Sequence, residues 1–179
     1  SLRVIAPGIL IGKGSSIPGA ITLKLFPDIL SLIELPETVI AVTGSNGKTS
    51  TVEMIAHILT DCGKKVAYNK EGSNQIEGVT TFLLADCTLT GKVKSDVIVL
   101  ESDERYARHT FKYFQPKYYI ITNLYRDQLT RNGHPEWVYN VISESIHDNM
   151  TLILNADDPL VASYGYHRDN VRYFGVDHI

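Results

Sequence analysis

Thr38-Val-Ile-Ala-Val-Thr-Gly-Ser-Asn-Gly-Lys-Thr-Ser50 decides the fold. Its first six residues (38–43) are apolar or β-branched and read as a strand with little polar surface on either face. Residues 44–48 form a glycine loop. Beyond it, Val52, Ile55, Ala56, Ile58 and Leu59 recur at helical spacing over 49–62, and Gly63 follows as a stop. A loop that ends a strand and opens a helix is the setting a phosphate-binding loop requires. Gly44 and Gly47 permit close approach of an anion and positive φ. The helix N-terminus points its amides at that anion. Lys48 adds a full charge at the outer phosphates, and Thr49 supplies a hydroxyl suited to Mg²⁺. Val42 stands where the pattern G-x-x-x-x-G-K-[ST] has its first glycine, so the match is incomplete. The bland alternative is a glycine-rich turn followed by a chance Lys-Thr pair.

Outward from this stretch the chain alternates. Strands are expected at 65–68, 97–100, 118–122, 151–154 and 171–174; helices at 76–85, 104–114, 135–147 and 159–164. Short apolar strands alternating with helices imply an α/β protein: a mostly parallel sheet with helices on both faces. Residues 1–36 read as an irregular leader with one amphipathic piece at 26–35, and the turn-rich Gly14–Gly19 segment is apolar enough to pack on the body. In such a sheet ligands sit beyond the C-terminal strand ends, which directs attention to four places. Glu101, just past a strand, is the candidate carboxylate for a phosphate-bound Mg²⁺, whereas Ser102, Asp103 and Glu104 read equally well as helix-capping residues. Asn123 can present its amide to a nucleotide, while Arg126 and Asp127 read as a local ion pair. Asn155, Asp157 and Asp158 either cap the next helix or read a base or ribose. Asn74, between strand and helix, would face the phosphates.

Composition narrows the classes. The chain has 179 residues, 44% hydrophobic, 21% charged and 9% aromatic, which suits one soluble domain. A formal net charge of −3 argues against nucleic acid as a partner. No run approaches the ~18 apolar residues of a membrane helix, and the oily N-terminal region is cut by Pro7, Gly8, Gly12, Gly14, Pro18 and Gly19, unlike a signal peptide. Cys62 and Cys87 are far apart, so two buried thiols in a reducing compartment are expected rather than a zinc site. The six histidines are scattered and read as packing or surface residues. Tyr113, Tyr118, Tyr119 and Tyr125 read as packing around one strand. No Ser-His-Asp or Cys-His set stands out. Asn69-Lys-Glu-Gly72 lacks the Asp of a guanine-reading Asn-Lys-x-Asp motif; a small-molecule kinase remains open at this level.

Four motifs in order carry a resemblance: Thr-Gly-Ser-Asn-Gly-Lys-Thr-Ser (43–50), Glu101 after a strand, Asn-Leu-Tyr-Arg-Asp-Gln-Leu (123–129) and Asn-Ala-Asp-Asp-Pro (155–159). Together they resemble the central ATPase domain of the Mur ligase superfamily, to which folylpolyglutamate synthases also belong. Arg126 before Asp127, Gln128 where amino-acid-adding Mur ligases have His, and the segment 14–30 resemble the MurT family, the ATP-using subunits of lipid II isoglutaminyl synthase.

The resemblance implies a carbon–nitrogen ligase that uses ATP and Mg²⁺. ATP would phosphorylate the α-carboxylate of D-glutamate in lipid II, and ammonia from a GatD-like glutamine amidotransferase subunit would displace phosphate from the acyl phosphate. By the same resemblance Gly44, Ser45, Asn46, Gly47, Lys48, Thr49 and Ser50 cradle the nucleotide with Asn74, Asn123 and Asn155; Lys48 and Glu101 act in phosphoryl transfer, and Thr49 and Glu101 hold the metal. Gln128 argues against a second Mur-type metal site. The resemblance assigns residues 1–37 to a leader packed on the body and 38–179 to the ATP-binding domain. A C-terminal domain and a four-cysteine zinc ribbon would lie outside this sequence, so zinc is expected only there, and the fragment alone is expected to turn over little or nothing. A cytoplasmic location at the inner membrane face, where lipid II is found, follows. The alternatives are a Mur or folylpolyglutamate-type ligase that adds an amino acid, and a module that binds ATP without catalysis.

Overall fold

The computed structural model describes residues 16–69, 75–125 and 135–176. Six strands form one sheet: β1 (Thr38–Thr43), β2 (Val66–Tyr68), β3 (Val97–Glu101), β4 (Tyr118–Ile121), β5 (Thr151–Asn155) and β6 (Val171–Phe174). Their spatial order is β2-β3-β1-β4-β5-β6, and every pairing is parallel. The helices are α1 (Ile17–Leu25), α2 (Lys48–Asp61), α3 (Ile76–Asp86), α4 (Ala107–Thr110), α5 (Pro135–Ser143) and α6 (Pro159–Ser163). The α/β class and the parallel sheet follow the expectation from the sequence.

Strand side chains alternate between two cores, as the period of two requires. Val39, Ala41, Ile98, Leu100, Tyr119, Ile121, Leu152 and Leu154 share one core with α3, α5 and α6. Ile40, Val42, Val97, Val99 and Ile120 meet Val52, Ile55 and Leu59 of α2 on the other face. Burial on both faces is why the central strands read as continuous apolar runs. β1 lies between β3 and β4, so the chain builds β2 and β3 on one side and then crosses to β4, β5 and β6 on the other. The direction of growth reverses at β1. A crevice opens beyond its C-terminal end, where a ligand fits an open α/β sheet.

The structure differs from the sequence reading in several elements. α1 falls where a turn was expected. Pro18 stands in its first turn, where a missing N–H costs nothing, and Gly19 lets α1 lie directly on α3. The Gly19 amide donates to Thr81 Oγ1 at 2.8 Å, and a Cβ on Gly19 would sit 1.9 Å from the Glu77 carbonyl oxygen. The amphipathic piece at 26–35 is a single 3₁₀ turn, Ile29–Leu32, with Ile29 and Leu30 in the core. The helix expected over 104–114 shrinks to α4, because its flanks close as i→i+3 turns (Tyr106 to Asp103, Tyr113 to Thr110). The helix expected over 135–147 stops at Ser143, since the buried Ser145 hydroxyl turns back onto the Ile142 carbonyl at 2.7 Å. Cys62 is exposed rather than buried, standing at the C-cap of α2. Cys87 is half-buried, and burial pushes its thiol up to about 11. No helix among the described residues is long and apolar enough to cross a membrane.

The α1–α3 contact is the tightest consequence of this packing. Gly19→Ala forces backbone apart, and is expected to cost about 1–3 kcal/mol, read as a lower urea midpoint with an unchanged far-ultraviolet spectrum.

Candidate functional site: the crevice at the end of β1

β1 delivers Thr43 fully buried to the rim, and the chain then turns with Gly44 at φ 128° and Gly47 at φ 79°. Both lie in the region that favours glycine. At Gly44 space is limiting as well: a Cβ would sit 2.3 Å from Thr122 Oγ1. Gly47 is the N-cap of α2, and no side chain caps that helix. The first-turn amides thus face the crevice without a side-chain acceptor, an anion-binding arrangement.

Lys48 folds back over the loop. Its ammonium donates to the Gly44 carbonyl at 2.6 Å and stands 3.6 Å from Glu104 Oε2. Glu104 is buried, while the Lys48 side chain keeps 15% of its surface exposed. Thr49 Oγ1 donates to Glu101 Oε2 at 2.7 Å. Glu101 is 4% exposed and is the last residue of β3, not the first beyond it as the sequence suggested. A buried carboxylate is costly unless hydrogen-bonded. Thr49 supplies that bond, and its hydroxyl together with the carboxylate makes a pair of hard oxygen donors beside the phosphate loop. These fit Mg²⁺, which keeps most of its ligands as water and phosphate oxygen. Among the described residues no three His, Cys, Asp or Glu side chains gather around a metal position.

Two positioning residues escaped the sequence reading. Asn69, 2% exposed at the end of β2, donates from Nδ2 to the Glu101 carbonyl (3.0 Å) and accepts the Glu101 amide on Oδ1 (2.6 Å). The signal available was an Asn directly after a strand that pairs with the Glu101 strand. Thr122 Oγ1 donates to the Asn46 carbonyl at 2.9 Å and approaches the Thr43 carbonyl at 3.2 Å.

The Asn123 carboxamide meets the loop itself: Oδ1 accepts the Asn46 amide at 2.9 Å and Nδ2 donates to the Asn46 carbonyl at 3.0 Å. The Ser45 amide donates to the Asn123 carbonyl at 2.9 Å, and Ser45 Oγ bonds both backbone groups of Tyr125. Asn155 donates to the Thr122 carbonyl at 2.9 Å and accepts the Asp157 amide. Asp158 takes the capping role: Oδ1 accepts the Leu160 and Val161 amides while Oδ2 accepts the Leu124 amide at 2.7 Å. Ser50 follows Thr49 in the first turn of α2. The structure therefore brings together Gly44, Ser45, Asn46, Gly47, Lys48, Thr49, Ser50, Glu101, Asn123 and Asn155 around one crevice. Asn74, Arg126, Asp127 and Gln128 lie outside the described residues.

With this geometry in place, the protein-family model described as the Mur ligase middle domain matches residues 42–177. The chain belongs to the Mur ligase middle-domain family. Among relatives, it is 37% identical over 170 residues to the lipid II isoglutaminyl synthase (glutamine-hydrolyzing) subunit MurT of Streptococcus pneumoniae (strain ATCC BAA-255 / R6), covering 93% of this chain and 37% of that protein. It is 34% identical over 166 residues to MurT of Staphylococcus aureus (strain COL), with 92% and 37% covered. Among solved structures, MurF ligase from Thermotoga maritima in complex with ADP superposes with a TM-score of 0.69 at 24% identity, over 90% of this chain and 37% of that one. The chain spans little more than a third of the length of these relatives. Within the family's crevice, the rim between Glu101 and Glu104 is shaped by one local pair: Arg105 donates to Asp103 from both Nε (3.0 Å) and an Nη atom (2.8 Å).

Burial works to raise the Asp103 carboxyl, but the Arg105 hydrogen bonds and charge outweigh it and hold the group below its ordinary value. A depressed carboxylate stabilises the fold above its unfolded pKa, about 3.9, and that contribution is lost as pH falls through the lower folded value. Arg105→Ala is therefore expected to be less stable than the parent at neutral pH, with the gap closing in acid. Urea unfolding of both proteins across that range checks it; a gap constant with pH would refute it.

Proposed function

We propose that this chain is the ATP-holding part of a carbon–nitrogen ligase that activates a carboxylate as an acyl phosphate. The observation that carries the reading is Lys48 and Thr49 on a glycine loop at the switch point of a Mur-type sheet, with the Thr49 hydroxyl on the buried Glu101 carboxylate. On this reading the α2 amides at 47–50 and Lys48 take the β- and γ-phosphates, and Lys48 exchanges Glu104 and the Gly44 carbonyl for phosphate oxygen. Thr49 and Glu101 would hold Mg²⁺, which neutralises phosphate charge when bound. The γ-phosphoryl group passes to the acceptor carboxylate and ADP leaves. Ammonia then attacks the acyl carbon and phosphate departs, giving an amide. The chain's own work is positioning and charge placement. Asn74 and Asn155 belong to the nucleotide side of the site in this proposal.

The specific acceptor we infer is the α-carboxylate of D-glutamate in lipid II, with ammonia drawn from a GatD-like glutamine amidotransferase subunit. Support comes from the MurT relatives, whose similarity runs over more than nine-tenths of this chain, while a UDP-N-acetylmuramate–L-alanine ligase of Thermotoga neapolitana is 31% identical over 89%. The same reading takes 38–179 as the nucleotide unit, 1–37 as a leader against it, and the cytoplasmic face of the membrane as its place of work. A complete protein paired with its glutaminase, given lipid II, MgATP and glutamine, is expected to form the isoglutaminyl product, ADP and phosphate.

Calorimetry tests the nucleotide step directly. MgATP is expected to bind saturably and MgGTP weakly. Lys48→Ala removes a charge-assisted contact and is expected to weaken MgATP by about 10–100-fold. Glu101→Gln is expected to lose the Mg²⁺ dependence of binding. Equal affinity of parent and Lys48→Ala would reject the site.

A further inference from the structure

Residues 44–46 are held from outside. The Ser45 amide and both backbone polar groups of Asn46 are engaged by the segment after β4, and the Gly44 carbonyl by Lys48. Asn123 imitates a neighbouring strand, offering an acceptor to the Asn46 amide and a donor to the Asn46 carbonyl at 2.9 and 3.0 Å. The Ser45 amide and hydroxyl are taken by Asn123 and Tyr125. That segment is itself held from β5 and α6. Asn155 holds the Thr122 carbonyl, and Asp158, 9% exposed, holds the Leu124 amide with one carboxylate oxygen while the other caps α6. Two sets of hydrogen bonds, Asp158 to the Leu124 amide and the Asn123 side chain to Asn46, are joined by the covalent backbone between Asn123 and Leu124, and together they link the N-terminus of α6 to the glycine loop.

We propose that Asn123 and Asp158 are positioning residues that keep the glycine loop in its phosphate-ready shape before nucleotide arrives, and that Asn123 serves the nucleotide through Asn46 rather than by touching it. The proposal rests on the nucleotide reading above for its consequence, but not for its physics. A loop with two residues at positive φ has conformational freedom to lose on binding. Fixing it beforehand removes that cost from the binding step. An amide side chain is suited to the task because it presents a donor and an acceptor side by side at any pH near neutrality. Asp158 suits its double task because a carboxylate is acceptor-only on both oxygens. An asparagine there would keep one oxygen for the cap and turn an N–H donor on the Leu124 amide.

The test is site-resolved amide hydrogen exchange on the nucleotide-free chain, paired with MgATP calorimetry, for Asn123→Ala, Asn123→Asp and Asp158→Asn. Asn123→Ala is expected to speed exchange at Asn46 by about tenfold and less at Ser45, whose partner is the retained Asn123 main-chain carbonyl, to leave the α1 and α3 amides unchanged, and to weaken MgATP by about tenfold. Asn123→Asp keeps the acceptor for the Asn46 amide and is expected to restore protection at that amide. Asp158→Asn is expected to speed exchange at Leu124 and, to a lesser degree, at Ser45 and Asn46. Weakened MgATP binding with unchanged exchange at Ser45 and Asn46 would make Asn123 a direct nucleotide contact and overturn the proposal. Acceleration spread equally over α1 and α3 would reduce both residues to general stability and overturn it too. Local acceleration in a chain whose parent takes up no MgATP would support the loop-holding role while rejecting the nucleotide reading.

Discussion

β1 has hydrogen-bonded neighbours on both sides, β3 and β4, and each contributes one half of the crevice. Register does the placement. Val42 pairs with Glu101 and Thr43 with Ile121, so the residues that follow β1, the carboxylate that ends β3 and the segment that follows β4 reach the rim at the same level. A slip of one residue in the β1–β3 pairing would turn Glu101 to the opposite face of the sheet, and one in the β1–β4 pairing would displace the segment that follows β4. The double burial that makes β1 apolar also locks that register, because each face has its own core to fill.

Charge at the rim is arranged against the cost of burial. Glu101 and Glu104 are both almost completely buried, and one lysine and one threonine hydroxyl lie against them. Isolated, such carboxylates would be strongly unfavourable. Their tolerance here depends on short polar contacts from α2, whose first turn is placed by the glycine loop. The loop in turn is pinned from β4, and β4 from β5 and α6. The site is thus a closed set of mutual constraints, in which the groups with the clearest chemical signatures depend on neighbours that have none.

Local chemistry made the main architecture legible. The strand–loop–helix at 38–62, the alternation of short apolar strands with helices, and the polar residues at strand ends all follow from periodicity and from backbone needs that glycine meets. The helix boundaries were less legible. α1 begins on Pro-Gly, ordinarily a turn signal, because Gly19 is needed for contact with α3, 62 residues away from its partner Thr81. α4 and α5 end early through i→i+3 turns and the buried Ser145 hydroxyl, and such endings answer to tertiary neighbours rather than to propensity.

The sequence by itself determined the strands, the glycine loop and the residue types able to meet phosphate and Mg²⁺, since these depend on side chains and φ preferences within a few residues. Tertiary structure alone decided the partners. Asn69 is a plain polar residue until β2 and β3 pair and bring it to both backbone groups of Glu101. Asn123 and Asp158 are 77 and 35 residues from Asn46 and Asn123 along the chain, and the parallel order β1-β4-β5 brings Asn123 onto Asn46 and Asp158 onto the Leu124 amide next to it. Local sequence specifies what a group can do. The pairing of distant strands specifies which group it does it with, because hydrogen bonds are short-ranged and chain order carries no distance.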